Sequence, residues 1–379
     1  MNDIIDDLLG DILDINPKIK KETAMEVKAD VINKEIDELL PGCSLDVGTS
    51  NLVFTRQTKS GKFINRYHRN MFYQLDVSDE ATDLLSNSNY LYTKMGKKYY
   101  ILGDDALKIS AAMGGEVVRS MENGILNPNI KESSELILHL IKVIVGDPIC
   151  EKEPIRIVVP AQTINSDIDN TFHKMVLQGF LNSLGFSAKT VNESSCVAYS
   201  ENPILKSEEG DVQMSGISIS CGAGQTNIAL MFKGMELGTF SIAKSGDYID
   251  DMSSKATGIS RSKIIRRKEK DLDLEKNNMD DRVLSALSIY YGEYTERIAR
   301  LISKEFEKRA SELQGKVEIV VAGGTSMPKG FCKMFESAIS ESVLPFTIYQ
   351  VRHSENPFFS VGNGACIRAR GDYQKSQKK

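Results

Sequence analysis

Three short glycine turns, each at the end of an apolar strand pattern, constrain this chain more than any other feature. They are Leu45-Asp46-Val47-Gly48-Thr49-Ser50-Asn51, Ser220-Cys221-Gly222-Ala223-Gly224-Gln225-Thr226-Asn227 and Ala322-Gly323-Gly324-Thr325-Ser326-Met327-Pro328. The first lies within an alternating stretch over residues 44–54. The second joins apolar runs at 217–220 and 228–232, and the third follows a run at 317–321 and precedes a helical pattern over 331–339. Glycine lets backbone amides approach a phosphate, and neighbouring Thr and Ser hydroxyls donate to it. Asp46, at a strand end, suits a hydrated Mg²⁺. Paired glycines at 323 and 324 let a flat base lie close to the backbone. Each turn alone is also an ordinary connection; the three in this order point to two duplicated lobes closing on one polyphosphate.

The rest of the chain alternates strands with helices. Residues 90–93 and 99–102 flank Met95-Gly96-Lys97 as a hairpin, and 132–145 is an amphipathic helix. A short β-branched strand at 156–159 ends at Pro160, and a helix over 172–184 stops at Gly185. Residues 282–306 form a long amphipathic helix. This pattern predicts an α/β fold of two halves, each beginning on a strand hairpin, in a chain of 379 residues.

Charge separates the first forty residues from the remainder. Residues 1–40 carry eleven acidic and five basic side chains, whereas residues 41–379 sum to +1. Ile4, Ile5, Leu8, Leu9, Ile12 and Leu13 recur at helical spacing, Pro17 interrupts, and Val27, Val31, Ile32, Ile36, Leu39 and Leu40 resume it. Two readings of this acidic helical extension stand: a helix pair docked on the protein's own body, or an arm for a partner protein. Its acidic face is repelled by anionic lipid and no run reaches the roughly 18 apolar residues of a span, so no direct membrane insertion is expected. The six cysteines lie apart without a CxxC, which suits reduced thiols in the cytoplasm. The basic stretch 261–270 lacks interleaved aromatics, so it reads as a solvated helix face and no nucleic-acid partner is expected.

With these motifs in order, residues 43–370 resemble the actin and heat-shock-chaperone ATPase superfamily, most closely the prokaryotic actin homologues of the MreB and MamK type. The first turn resembles that superfamily's phosphate-1 loop, the second its phosphate-2 loop, and Gly323-Gly324-Thr325-Ser326-Met327 its adenosine loop. Tyr100-Ile101-Leu102-Gly103-Asp104-Asp105-Ala106, Lys244-Ser245-Gly246-Asp247-Tyr248-Ile249-Asp250 and Val361-Gly362-Asn363-Gly364-Ala365 add to the likeness. The resemblance implies a two-lobed actin-like ATPase fold: duplicated ribonuclease-H-like domains around a nucleotide cleft. Lobe I would span 41–165 with 355–379 returning to it, and lobe II 166–354.

It further implies ATP or ADP with Mg²⁺ as cofactors. Gly48, Thr49, Ser50 and Asn51 would face the phosphates from one lobe. Ser220, Gly222, Gly224, Gln225 and Thr226 would face them from the other. Gly323, Gly324, Met327 and Lys268 would border the adenosine, and Asp46 and Glu193 would surround the metal. Asp167 falls where relatives place the side chain that orients the hydrolytic water; beside Ser166 it also suits a helix N-terminus. Two departures stand out, because Ser220 and Asn227 occupy positions where relatives carry aspartate. Losing such a group costs on the order of 10²–10³ in rate, so weak ATPase activity at most is expected. The function implied is a nucleotide-dependent cytoskeletal filament built head-to-tail from copies of the chain. The alternative is a non-polymerising ATP-binding adaptor of the same fold. A sugar-kinase-like activity lacks its motif.

Overall fold

The computed structural model describes residues 39–127, 129–130, 132–164, 169–201, 205–207, 210–212, 215–307, 309 and 316–378. The helical pattern read over residues 1–38 lies outside them. Leu39 and Leu40, read above as the end of that pattern, open a strand instead, paired with Thr58 and Gln57 across a bulge that precedes Ser44. Pro41 and Gly42 break the helical spacing there, and β2, with Val53, Phe54, Thr55 and Thr58, offers a strand to pair with.

The elements run β1 (Leu39–Val47), β2 (Asn51–Thr58), β3 (Phe63–Arg69), β4 (Phe72–Asp76), α1 (Asp79–Ser86), β5 (Tyr92–Met95), β6 (Lys98–Leu102) and α2 (Asp104–Met113). The short pair β7 (Met121–Glu122) and β8 (Ile125–Leu126) leads to α3 (Ser133–Val145), β9 (Pro154–Val159), α4 (Thr171–Ser183), β10 (Ser187–Asn192) and α5 (Glu193–Ser200). Next come β11 (Leu205–Ser207), β12 (Gly210–Val212), β13 (Gly216–Cys221), β14 (Thr226–Phe232), β15 (Met235–Ile242), α6 (Gly246–Thr257), α7 (Arg261–Asp271) and α8 (Arg282–Phe306). The chain closes with β16 (Lys316–Ala322), a 3₁₀ turn at Gly324–Ser326, α9 (Phe331–Ser340), β17 (Thr347–His353) and α10 (Ser360–Ser376).

Two five-stranded sheets share one topology, β3-β2-β1-β9-β10 and β15-β14-β13-β16-β17. In each, three strands joined by hairpins run antiparallel, and the fourth in the order pairs parallel with the first hairpin strand. The duplication expected from the two hairpins is therefore present in the strand order itself.

The chain forms two compact units. One comprises the described residues up to Val158, Asn170–Thr190 and the residues from Cys366 on; the other comprises Val159–Asp169 and Val191–Ala365. Helix α4 thus groups with the first unit, whereas the sequence boundary at 165 put it in the second. The reason is topological: α4 is the connection between neighbouring strands β9 and β10, and its Val176, Leu177, Phe180 and Leu181 are fully buried. In the second unit, α8 starts at Asp281, whose carboxylate accepts from the amides of Val283 and Leu284 at 3.0 Å. Its stripe Val283, Leu287, Tyr291, Tyr294, Ile298 and Ile302 is buried with Ile217, Ile219 and Leu230 of the sheet. Each such side chain contributes about 1.5–3 kcal/mol on burial. Among the described residues no helix is long and apolar enough to cross a membrane.

The basic helix α7 departs from its sequence reading in part: Lys263, Arg266 and Lys270 are exposed, as a solvated face requires, whereas the other three basic residues are paired. Three of its charges are met by carboxylates: Lys268 by Asp250 at 2.7 Å, Arg261 by Asp247 and Asp251 at 2.5 and 2.6 Å, and Arg267 by Asp271 and Asp281. Lys268 is 13% exposed, so it is a docked residue of this helix and not part of a solvated face.

His173 on α4 is buried, and neither ring nitrogen has a hydrogen-bond partner among the described residues. Burial, with Lys174 adding to it, pushes its imidazole down to about 4. A depressed histidine supports stability that is complete above about 6.5 and lost as pH falls toward 4, worth roughly 3 kcal/mol across that window. Half-buried Asp46, pushed up to about 7 by desolvation, acts in the opposite sense over much of the same range. The histidine is therefore read as a difference. His173→Leu is expected to flatten the acid side of the stability curve relative to the parent in urea melts from pH 4 to 7. Parallel curves would refute it.

Candidate functional site

In the first unit the turn between β1 and β2 is closed by the Gly48 amide donating to the Asn51 carbonyl at 3.0 Å. A Cβ on Gly48 would lie 2.8 Å from that oxygen, so the turn requires glycine. Buried Asn70 holds it from outside, its side-chain amide donating to the Gly48 carbonyl at 3.0 Å and its backbone amide to the Ser50 carbonyl at 2.9 Å. The Thr49 hydroxyl accepts from the Gly124 amide at 3.0 Å, which leaves its own proton to donate. Asp46 is the last residue but one of β1, beside this turn. No hydrogen bond or ion pair to its carboxylate is found among the described residues, and desolvation raises its affinity for a proton. A cation nearby would reverse that shift, so the residue fits a metal's outer shell.

The second unit repeats the turn between β13 and β14. The Gly222 amide donates to the Gln225 carbonyl at 3.0 Å, and a Cβ there would lie 2.7 Å from the same oxygen. The Gly222 carbonyl in turn accepts from the Ser245 hydroxyl at 2.5 Å and the Thr325 hydroxyl at 2.7 Å. Thr325 belongs to the third turn, where Gly323 has φ +92° and a Cβ would sit 2.4 Å from the Cys221 carbonyl. Tyr291 of α8 donates to the Thr325 carbonyl at 3.0 Å. The second and third turns are thus one hydrogen-bonded scaffold. Open space faces Gly324, and Met327 is 51% exposed, as a surface for a flat ligand needs.

Not every residue singled out by sequence faces outward. Thr226 is fully buried, its hydroxyl within 2.8 Å of that of Ser245 and 2.7 Å of that of Tyr294, so it braces the turn from within. Gln225 is buried as well. Lys268 spends its ammonium on Asp250. Asp167 lies outside the described residues.

Glu193 is the first residue of α5, where the helix dipole favours a carboxylate. Ser220 donates to one of its oxygens at 2.7 Å and Asn227 to the other at 2.8 Å. The two positions at which the resemblance implies aspartate therefore hold neutral donors aimed at Glu193. Asn70, Ser245, Tyr291 and Tyr294 were missed by the sequence reading, and Thr325 was named only as part of the third turn. Ser245 had a signal, standing beside Gly246 in a recognised motif, but the tyrosines look like ordinary core residues of a helix. Among the described residues no group of three or more His, Cys, Asp or Glu is placed to hold a metal ion alone. A Mg²⁺ that keeps its waters and takes phosphate oxygens needs no such group.

A family model described as Volactin matches residues 42–369. No curated protein matches the sequence. Among solved structures, the MamK double helical filament is 18% identical with a TM-score of 0.62, over 86% of this chain and 98% of that one. MreB5 of Spiroplasma citri bound to AMPPNP is 14% identical with a TM-score of 0.62, over 89% and 98%. The same protein bound to ADP is 13% identical with a TM-score of 0.61, over 89% and 99%. At these identities the likeness is one of fold: this chain has the two-unit α/β fold of the actin-like ATPases.

Proposed function

The chain belongs to the Volactin family, and from that premise we propose that it binds ATP and assembles head-to-tail into nucleotide-dependent cytoskeletal filaments in the cytoplasm, with slow hydrolysis. The observation that carries this reading is the pair of matched turns at Gly48 and Gly222, each at the same place in an identically ordered sheet. The similar MamK structure is a filament, and the similar MreB5 structures hold AMPPNP and ADP.

In this reading the amides and hydroxyls of residues 48–51 bind phosphate oxygens from the first unit, and the turn of residues 222–225 does so from the second. The backbone at Gly323 and Gly324 orients the base, with Met327 beside it. Asp46 and Glu193 would hold a Mg²⁺ through its waters, and that ion would supply charge neutralisation at the phosphates. Asp167 would orient water for attack on the terminal phosphate. Ser220 in place of an aspartate removes one negative group from that arrangement and slows turnover.

The same substitution favours a second reading, an ATP-binding adaptor that does not polymerise and whose acidic residues 1–40 engage a protein partner. Sedimentation with Mg-ATP, Mg-ADP and no nucleotide, each pellet viewed by negative-stain electron microscopy, separates the two. Filaments that require ATP are expected. A chain that binds ATP and stays in the supernatant at high concentration would sink the filament reading in favour of the adaptor.

A further inference from the structure

We propose that the acidic start of this chain, residues 3–14, docks on a basic stripe of its own helix α7, made by Lys263, Arg266 and Lys270. The inference goes beyond the nucleotide reading and stands without it. All three side chains are exposed, and none has an ion pair or a side-chain hydrogen bond among the described residues. The other basic residues of the helix, Arg261, Arg267 and Lys268, are spent on aspartates of their own unit. Positions 263, 266 and 270 stand three and four residues apart, within an arc of roughly 60° on an α-helix. Like charges at these spacings repel one another, so the stripe calls for an anionic cover. The exposed acidic residues of α7, Glu269 and Asp271, lie off that arc, and Asp271 is held by Arg267.

The chain carries a segment of matching charge. Asp3, Asp6, Asp7, Asp11 and Asp14 fall within its first seventeen residues, which contain no lysine or arginine. Asp3, Asp7, Asp11 and Asp14 recur at intervals of four, four and three, the same period as the stripe. Residues 41–379 are nearly neutral, so the acidic surplus of the chain is concentrated in its start. Exposed apolar side chains accompany the stripe. Met279 is 82% and Ile289 59% exposed, and each follows a partner of the Asn278–Ser288 hydrogen bond at 2.9 Å. Met279 stands two residues before Asp281, the partner of Arg267. Between the aspartates, Ile5, Leu9 and Ile12 are apolar partners for that pair. Residues 15–38 tether the segment to β1 and can span up to roughly 80 Å. A tether of that length holds the segment at an effective concentration of about millimolar order, which favours the chain's own helix over that of a second copy.

The test is zero-length cross-linking of the full chain with a carbodiimide, which joins a carboxylate to a lysine amine only where the two touch, followed by peptide mass spectrometry. An equal mixture of unlabelled and ¹⁵N-labelled chains is used. Cross-links from residues 3–14 to Lys263 and Lys270 are expected, joining light to light and heavy to heavy. Their yield is expected to fall at least about fivefold between 0.05 and 0.5 M salt, as screening requires. Arg266→Glu, which reverses the middle of the stripe at an exposed position and keeps both lysines, is expected to lower the yield to a similar degree. Lys304→Glu makes the same change of net charge at an exposed site on α8 and is expected to leave the yield unchanged. Cross-links from residues 3–14 spread evenly over exposed lysines such as Lys59, Lys97 and Lys304, or none to α7, would overturn the proposal. Cross-links that join light chains to heavy ones as often as to light would make the occupant a second copy and overturn docking within one chain.

Discussion

Gly364→Val is expected to give no soluble folded protein, and Gly364→Ala to lose about 3 kcal/mol or more, at the upper end for overpacking. A Cβ at this position would lie 1.8 Å from the Cys196 carbonyl oxygen, 2.7 Å from its carbon and 3.0 Å from the Ser200 amide nitrogen. All three are backbone atoms of helix α5 or its end, so no side-chain rotation relieves the contact. The residue lies on α10, which begins in the second unit and continues into the first after Ala365. It faces the helix that presents Glu193, so separation there would also disturb the Glu193 carboxylate. Urea melts of Gly364→Ala check the prediction; a curve matching the parent's would show that the two helices can part without cost.

Glu153→Ala is expected to cost about 3–5 kcal/mol, because it strands a buried guanidinium. Glu153 is fully buried and Arg56, its partner, is 5% exposed. One oxygen accepts from Arg56 and from the Gly42 amide at 3.1 Å, and the other from the Ile149 amide at 2.9 Å. These contacts fasten the start of β1, the middle of β2 and the loop before β9 in the sheet that carries the Gly48 turn. If the loss comes from the unpaired charge, Arg56→Met with Glu153→Leu should recover much of it, since an apolar pair of similar volume is often neutral in such a place. A double variant as unstable as Glu153→Ala would assign the loss to the backbone donors at Gly42 and Ile149 instead.

Neither residue announces itself in the sequence. Glu153 sits between Lys152 and Pro154 in a polar stretch that reads as surface, and its partner is 97 residues away. Gly364 lies in a motif of recognised type, yet its reason for being glycine is the approach of a helix 168 positions earlier, at Cys196. Where a helix or strand was read away from the first forty residues, as at 132–145, 156–159, 172–184 and 282–306, the structure has the same kind of element, because periodicity and turn residues act over a few positions. The bounds of α8 follow from its apolar stripe, and those of β13 and β14 from the Gly222 turn between them. Where local pattern misled, a long-range contact prevailed. Leu39 and Leu40 continue a helical spacing but pair with β2, and α4 joins the unit of the strands that it connects.

By itself the sequence determined that two hairpins and a third glycine turn occur in this order and that strands and helices alternate. Only the tertiary structure decided what those residues do. It showed that Ser220 and Asn227, 27 and 34 residues from Glu193, aim their donors at its two carboxylate oxygens. Thr226 was shown to brace its turn from inside, and Lys268 to belong to Asp250. The division has a physical cause. Backbone conformation is set by sterics and hydrogen bonds among near neighbours, whereas the partner of a buried polar group depends on which distant strands the folded sheet places side by side.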